Sequence, residues 1–506
     1  MTDGVWLAFD IGTTGLKAAL VSAAGQVLSS FTQDYPVTLG QDGVVEQDTA
    51  GWTHALLTSA RMLDLQRYRD QLAGVALTGQ MQDLILFDDD KFLVRPVILY
   101  SDTRARQEAD IINMTFGAQR LLGLTGSDHD ASSLLSKLLW VKRHEPENYR
   151  STRTVLMGAA DYMADFLCGE LATDTTTAST TSLLELESRR PLPDDLFRAA
   201  GIEEAPAMLP RIVPGGAQVG ATVEAYEEII GLPAGLPVHL GPGDAGAVTL
   251  GVGAGEPGRV YAYLGTSGWI AFTSETRAVA DGVITLAHPQ PGRYIQIAPL
   301  LTAGGNLEWV RDLFGSASYD EVISQALAGD PGSLIYLPYL NGERSPFRDP
   351  AARGAFVGLT GRTRREDLYR AVLEGVAFAY RHALDALVDF QIDSLTLAGG
   401  GAKSTAWAQL IADILNVPVE IQDQAGYAGV RGAVMAALVQ RGELDRYAFR
   451  NPPPPQTRLE PRDEHRTHYD RQYRLFRDLY PALRQMFAGM AGTLSSDPSS
   501  TANDAS

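Results

Sequence analysis

Residues 10–20 and 263–273 of this chain repeat one pattern: an apolar strand, a Gly-Thr-Thr/Ser-Gly turn and a second strand, 253 positions apart in 506. The first copy runs from Asp10 through Gly12, Thr13, Thr14 and Gly15 to Leu20. The second runs from Tyr263 through Gly265, Thr266, Ser267 and Gly268 to Thr273. One such turn is a common hairpin closure. Two copies, each followed by a strand that runs into glycine (Val75 to Gly79, Leu395 to Gly401), point to duplication of a folding unit. The copies differ where chemistry would need them to. Asp10 stands where the second copy has Tyr263, and a carboxylate kept in one half only fits a single metal site between two domains.

Length supports that reading, because single cores stop growing near ~250–300 residues. The first forty residues predict an antiparallel meander, and the remainder alternates helices with strands, including a helix over 48–65. That alternation is the signature of an α/β protein built on mixed sheets. Residues 231–243 hold three prolines and four glycines, so the domains are expected to divide there, into 1–242 and 243–490. After the spacer at Pro452 to Pro455 a final helix is expected, roughly Glu464 to Met486, free to return to the first domain. Residues 491–506 read as a disordered tail, Ser/Thr/Asp-rich with almost no apolar residue.

The formal charge of −19 argues against nucleic acid and anionic membrane surfaces as partners. An acidic chain binds ATP only where Mg²⁺, backbone N–H groups and a few local cations offset the phosphates. The lone Cys168 makes no intramolecular disulfide, which suits a reducing cytoplasm. Residues 1–10 lack a basic region and read as a first strand, not a signal peptide. No stretch reaches the ~18 apolar residues of a membrane span.

Known nucleotide motifs are absent. There is no P-loop; Gly401-Ala402-Lys403-Ser404 is the nearest approach and lacks its first glycine. The protein-kinase motifs are missing, and the scattered histidines, His144 and His382 among them, suggest no zinc site. What remains are phosphate-competent loops. Both Gly-Thr-x-Gly turns offer unhindered N–H groups and hydroxyls, and Gly399-Gly400-Gly401 lets a following helix approach a phosphate. Asp10 is either a turn cap or, beside such a turn, a carboxylate for Mg²⁺, a cation that favours hard oxygen ligands. Asp244, after Gly241-Pro242-Gly243, is placed to cap the apolar helix that follows it. The helix dipole there would also keep it ionised as a base.

The motifs resemble those of the FGGY carbohydrate kinases from about Trp6 to about Gln440. The most specific stretch is Gly354 to Glu374, similar to that family's C-terminal signature; Lys137 to Glu147 resembles its first signature, and Tyr339 to Pro346 its second-domain loop. The resemblance implies a two-domain actin-like (ribonuclease H-like) fold with ATP and sugar in the interdomain cleft. It implies Asp244 as catalytic base, Asp10 with Asp244 at the Mg²⁺ ion, and nucleotide contacts from Thr13, Thr14, Gly265, Thr266, Gly400, Gly401 and Lys403. A homodimer is left open.

Within the family the likeness runs to xylulokinases, through Gly79-Gln80-Met81 and the segment Pro96 to Arg104. Those enzymes usually read Gln-Met-His-Gly where this chain has Gln80-Met81-Gln82-Asp83. They read Trp-Asn-Asp where it has Tyr100-Ser101-Asp102, and Asp-Asn where it has Asp244-Ala245. Gln80, Met81, Gln82, Asp83, Asp102 and Asp244 are therefore the expected sugar contacts, with Arg104 the one cation for a sugar acid. An exposed turn at Gln82-Asp83 is the competing reading. The expected reaction is phosphorylation of a ketopentose such as D-xylulose. Gluconate, ribulose or a tetritol are the alternative substrates, and a non-catalytic actin-like ATP-binding protein is the alternative class.

Overall fold

The computed structural model describes residues 4–494, apart from 279–281, 316–317, 423–424, 451 and 453–454. The meander forms first: Val5–Ile11, Gly15–Ser22 and Val27–Asp34 pair antiparallel. Val5 to Phe9 is covered on both faces, which is why it reads as an unbroken apolar run. Leu72–Gly79 joins the free edge of Val5–Ile11 in parallel, then Pro237–Leu240 in parallel, then Ala217–Ala221 antiparallel.

The second sheet repeats this order direction for direction. Tyr294–Leu300 and Gly268–Ser274 are antiparallel, Gly268–Ser274 and Val260–Leu264 antiparallel, then Leu395–Ala398 and Val419–Ile421 follow in parallel, and Thr457–Leu459 closes antiparallel. One further strand, Ile284–Ala287, extends its outer edge. Six strands thus correspond between two mixed sheets, the two-domain actin-like architecture implied above.

Two helices depart from a simple division of the chain. Ala428–Gln440, late in the sequence, packs on the first sheet: Val430, Ala433 and Val434 share a buried cluster with Trp6, Ala8 and Val21. The final helix runs Asp463–Leu494, longer at both ends than expected. Its stripe of Tyr469, Tyr473, Phe476, Tyr480 and Phe487, spaced 4, 3, 4 and 7, lies in the core of the second half with Tyr339 and Phe378. Such spacing keeps one helix face turned to a single partner, and that partner is the second domain, not the first. The expected tail from residue 495 onward lies outside the described residues. Among the described residues no helix is long and apolar enough to cross a membrane.

A smaller five-stranded sheet branches from the first half. Its strand Met81–Phe87 follows Leu72–Gly79 after the single residue Gln80 and pairs with Thr154–Gly158 and Val97–Ile98. The chain thus turns from one sheet into another at Gln80, and residues 80–83 come to the junction.

Candidate active site

Asp10 is the next-to-last residue of the first strand, opposite Lys17 in the hairpin register. The turn beyond it is closed by Gly12 N donating to Gly15 O at 3.0 Å and braced by the Tyr35 hydroxyl on Gly12 O at 2.5 Å. Gln47 holds the turn from below, donating to Thr13 O at 2.8 Å. Thr14 is exposed and Thr13 half-buried, so both hydroxyls can be reached. Asp10 also lies against the start of the helix Ala428–Gln440. A Cβ on Gly429 would sit 2.4 Å from Asp10 Oδ2, so only glycine lets the helix backbone come this close. Burial raises the Asp10 carboxyl above the ordinary range, partly offset by Lys17.

Asp244 arrives from the next strand over. Thr78 Oγ1 donates to Pro242 O at 2.7 Å and Gly241 N to Leu77 O at 2.7 Å, pinning the loop to the strand beside Val5–Ile11. A side chain at Gly243 would strike Met81 Sδ at 2.2 Å and Thr177 Oγ1 at 2.5 Å, which explains the glycine. The helix cap is Gly243, and Asp244 is the first helical residue of Asp244–Thr249, one place inside the capping position expected. Asp244 Oδ1 accepts from Ala245 N at 2.6 Å. Burial first, then the charge of Asp10, push its carboxyl up to about 7; the Ala245 N–H and Asp174 act in opposite senses as smaller effects. The two carboxylates expected to face one another are therefore close enough to feel each other's charge.

The residues expected at the sugar divide into two groups. Met81 and Gln82 are half-buried at the start of their strand. Gln82 takes a positive φ of 61°, and its side-chain amide donates to Thr180 O. The exposed-turn reading fails, since Asp83 is 0% exposed. Asp83 Oδ1 accepts from Tyr100 N at 3.0 Å, and burial raises its carboxyl well above the normal range against the pull of Lys137. Gln80 is buried on Gln47 at 3.1 Å. Asp102 is also 0% exposed, and its oxygens accept from Val45 N at 2.6 Å and from Arg104 at 2.7–3.0 Å. It braces the loop, with both carboxylate oxygens engaged by protein donors where a sugar contact was expected. Arg104 is spent in the same way, bridging Asp102 and Glu46.

In the second half, Gly265, Thr266, Gly400, Gly401 and Lys403 all line one cavity of about 740 Å³, with Arg311 at its rim. The turn carbonyls accept from the start of the helix Gly304–Leu313, Gly304 N on Gly265 O at 2.8 Å and Gly305 N on Thr266 O at 2.9 Å. Tyr263, on the cavity wall, stacks on Trp269 at 4.0 Å. Trp269 Nε1 donates to the Tyr261 hydroxyl at 3.1 Å, which meets Thr249 Oγ1 at 3.1 Å on the Asp244 helix. The cavity and the carboxylate pair are thus joined through one short element. Thr13 and Thr14 lie on the carboxylate side and do not line the cavity.

An N-terminal domain model of the FGGY family of carbohydrate kinases matches residues 5–251, and the C-terminal domain model of the same family matches residues 260–441. The chain belongs to the FGGY family of carbohydrate kinases. A xylulose kinase from Klebsiella pneumoniae is 30% identical over 491 residues, covering 96% of this chain and 100% of that protein. A solved xylulose kinase from Rhodospirillum rubrum superposes with a TM-score of 0.86 at 29% identity, over 95% of this chain and 99% of its own. A gluconate kinase from Lactobacillus acidophilus gives 0.87 at 25% identity, over 96% and 100%. This FGGY kinase is an ATP-dependent sugar kinase, and the non-catalytic alternative falls away.

Several site residues carry no motif of their own. Asp174 accepts from Thr176 N at 2.7 Å and Thr177 N at 3.1 Å, and its carboxyl is raised to about 6 by burial against those bonds. Gln47 and Tyr35 hold the first turn from elements far away in sequence. Only Asp174 left a local signal, the helix cap before Thr175, Thr176 and Thr177.

Proposed function

We propose that this kinase transfers the γ-phosphoryl group of ATP to a neutral ketose or polyol, a ketopentose such as D-xylulose, with Asp244 as the general base. The observation that carries the reading is the Asp244 carboxyl, raised to about 7 by burial and by Asp10, beside a phosphate-competent turn. A base poised near working pH takes a hydroxyl proton as that oxygen attacks phosphorus, a contribution of ~10²–10⁴-fold. The sugar sits against the first half, near Met81 and Gln82. ATP sits in the cavity of the second half, its terminal phosphate reaching the turn at Thr13 and Thr14.

The residues present fit Mg²⁺. Asp10 and Asp244 repel one another with Lys17 the cation that offsets Asp10, so a divalent cation near them relieves the pair. Among the described residues no cluster of three or more His, Cys, Asp or Glu could hold a metal alone. Phosphate oxygens and water would complete the shell around Asp10 and Asp244, as Mg²⁺ prefers. Bound there, the ion offsets charge on the phosphoryl group in transfer.

The nearby cation that would favour a sugar acid is already engaged: Arg104 is tied to Asp102 and Glu46. That supports a neutral substrate over an aldonate such as gluconate. ADP release with Mg-ATP, measured across D-xylulose, ribulose, tetritols and gluconate, tests this. The expected result is turnover on a neutral ketose or polyol and little on gluconate. A preference for gluconate would overturn the substrate class and leave the kinase chemistry standing.

A further inference from the structure

Lys137 is the most deeply buried cation near the first-half site. Its side chain is among the largest that are fully enclosed, at 0% exposure, yet it forms no salt bridge among the described residues. Enclosing an ammonium is costly unless its N–H groups are satisfied. Here they meet backbone: Nζ donates to Leu99 O at 2.7 Å and to Gln82 O at 3.1 Å. Those carbonyls belong to two separate segments, the start of Met81–Phe87 and the loop after Val97–Ile98.

Both segments bear on the sugar. Gln82 holds a positive φ of 61°, a conformation a non-glycine residue keeps only when its surroundings over-determine it. Lys137 grips the carbonyl of that residue. Leu99 O also accepts from Asp102 N at 3.0 Å, and Asp83 Oδ1 takes Tyr100 N at 3.0 Å, so the second segment is tied to the first from both ends. Tyr100 is 40% exposed, and Thr13 Oγ1 of the phosphate turn donates to its hydroxyl at 3.4 Å. The segments that differ most from the xylulokinase pattern are therefore bridged by one ammonium group, beside the Asp83–Tyr100 bond.

We propose that Lys137 is a positioning residue for the sugar: by holding the Gln82 and Leu99 carbonyls together it sets the width of the sugar pocket, without touching substrate. The proposal rests on the first half being the sugar side, as argued above. Because the nucleotide cavity is built from the second half, loss of Lys137 moves the sugar terms and spares the ATP terms.

The test compares wild type, Asp83→Asn, Lys137→Met and the double variant Lys137→Met/Asp83→Asn on the best sugar of the panel. The double variant removes both buried charges and so avoids leaving the Asp83 carboxylate without its cation. A pocket misplaced by about an ångström costs ~10²-fold in sugar kcat/KM. The expected result is a double variant that melts near its parent, with sugar KM raised at least tenfold and ATP KM within twofold. Sugar KM within twofold of Asp83→Asn overturns the proposal. So does an equal rise in both KM values, which means general loosening, and so does a double variant that does not fold, which makes Lys137 a residue of the fold alone. The wild-type control reports on the substrate reading separately, because a wild type inactive on every neutral sugar fails there first.

Discussion

The two Gly-Thr-x-Gly turns share one pattern and sit in different surroundings. In the first, Gly12 N reaches Gly15 O; in the second, Gly265 N reaches Ser267 O, one residue sooner. The registers differ accordingly. Asp10 opposes Lys17 across the first hairpin, whereas Tyr263 opposes Trp269 across the second. An Asp facing a Lys in one half thus answers to an aromatic stack in the other, 4.0 Å between rings and 9° from parallel. Each turn also meets the start of a helix, Ala428–Gln440 at the first and Gly304–Leu313 at the second. In the proposed mechanism the first turn keeps charge where a phosphate travels. The second places the Tyr263 ring on the wall of the cavity of about 740 Å³. A duplicated scaffold can divide labour by changing one residue and one step of register.

The largest break of this asymmetry comes from Asp244→Asn. Turnover should fall by ~10²–10⁴-fold, with ADP affinity by calorimetry within twofold, because the cavity belongs to the other half. Asp10→Asn is expected next, as a rise of about 10–100-fold in the Mg²⁺ concentration needed for half-maximal rate, the usual scale for losing a group that supports a metal. A Mg²⁺ titration at saturating ATP and sugar measures it, and an unchanged titration would detach Asp10 from the ion.

A pH profile sharpens the comparison further. A base must be ionised to accept a proton, so with the Asp244 carboxyl raised to about 7 the sugar kcat/KM should climb about tenfold per pH unit below that value and level off above it. Asp10→Asn removes a repelling charge and should move the bend to lower pH. The smallest effect belongs to the second half. Trp269→Leu removes the stack on Tyr263, worth about 0.5–1.5 kcal/mol beyond buried area. It should lower the melting temperature by a few degrees and leave kcat nearly unchanged.

Much of this was legible because it is local. A turn that cradles phosphate is written in four adjacent residues, and the loop Gly241-Pro242-Gly243-Asp244 states both its bend and its carboxylate. The opening meander of the first half followed from alternation and turns. What escaped is set by contacts distant in sequence. Lys137 reads as one basic residue in an amphipathic helix; only folding shows its ammonium on two carbonyls. Asp102 and Arg104 read as a polar pocket, yet they are tied to each other. The positive φ of Gln82 has no signature, since glutamine has no preference for it. The helix Ala428–Gln440 is apolar nearly all round, so periodicity does not tell which sheet it covers.

The central claim is that the first half holds Asp10 and Asp244 together where a phosphate in transit from the second-half cavity passes between them. A crystal structure with Mg²⁺, a non-hydrolysable ATP analogue and the preferred sugar tests it most directly. The account predicts the terminal phosphate between those two carboxyl groups, with one sugar hydroxyl within ~2.6–3.2 Å of Asp244. A terminal phosphate bound away from both, or a sugar whose hydroxyls all avoid Asp244, would contradict it.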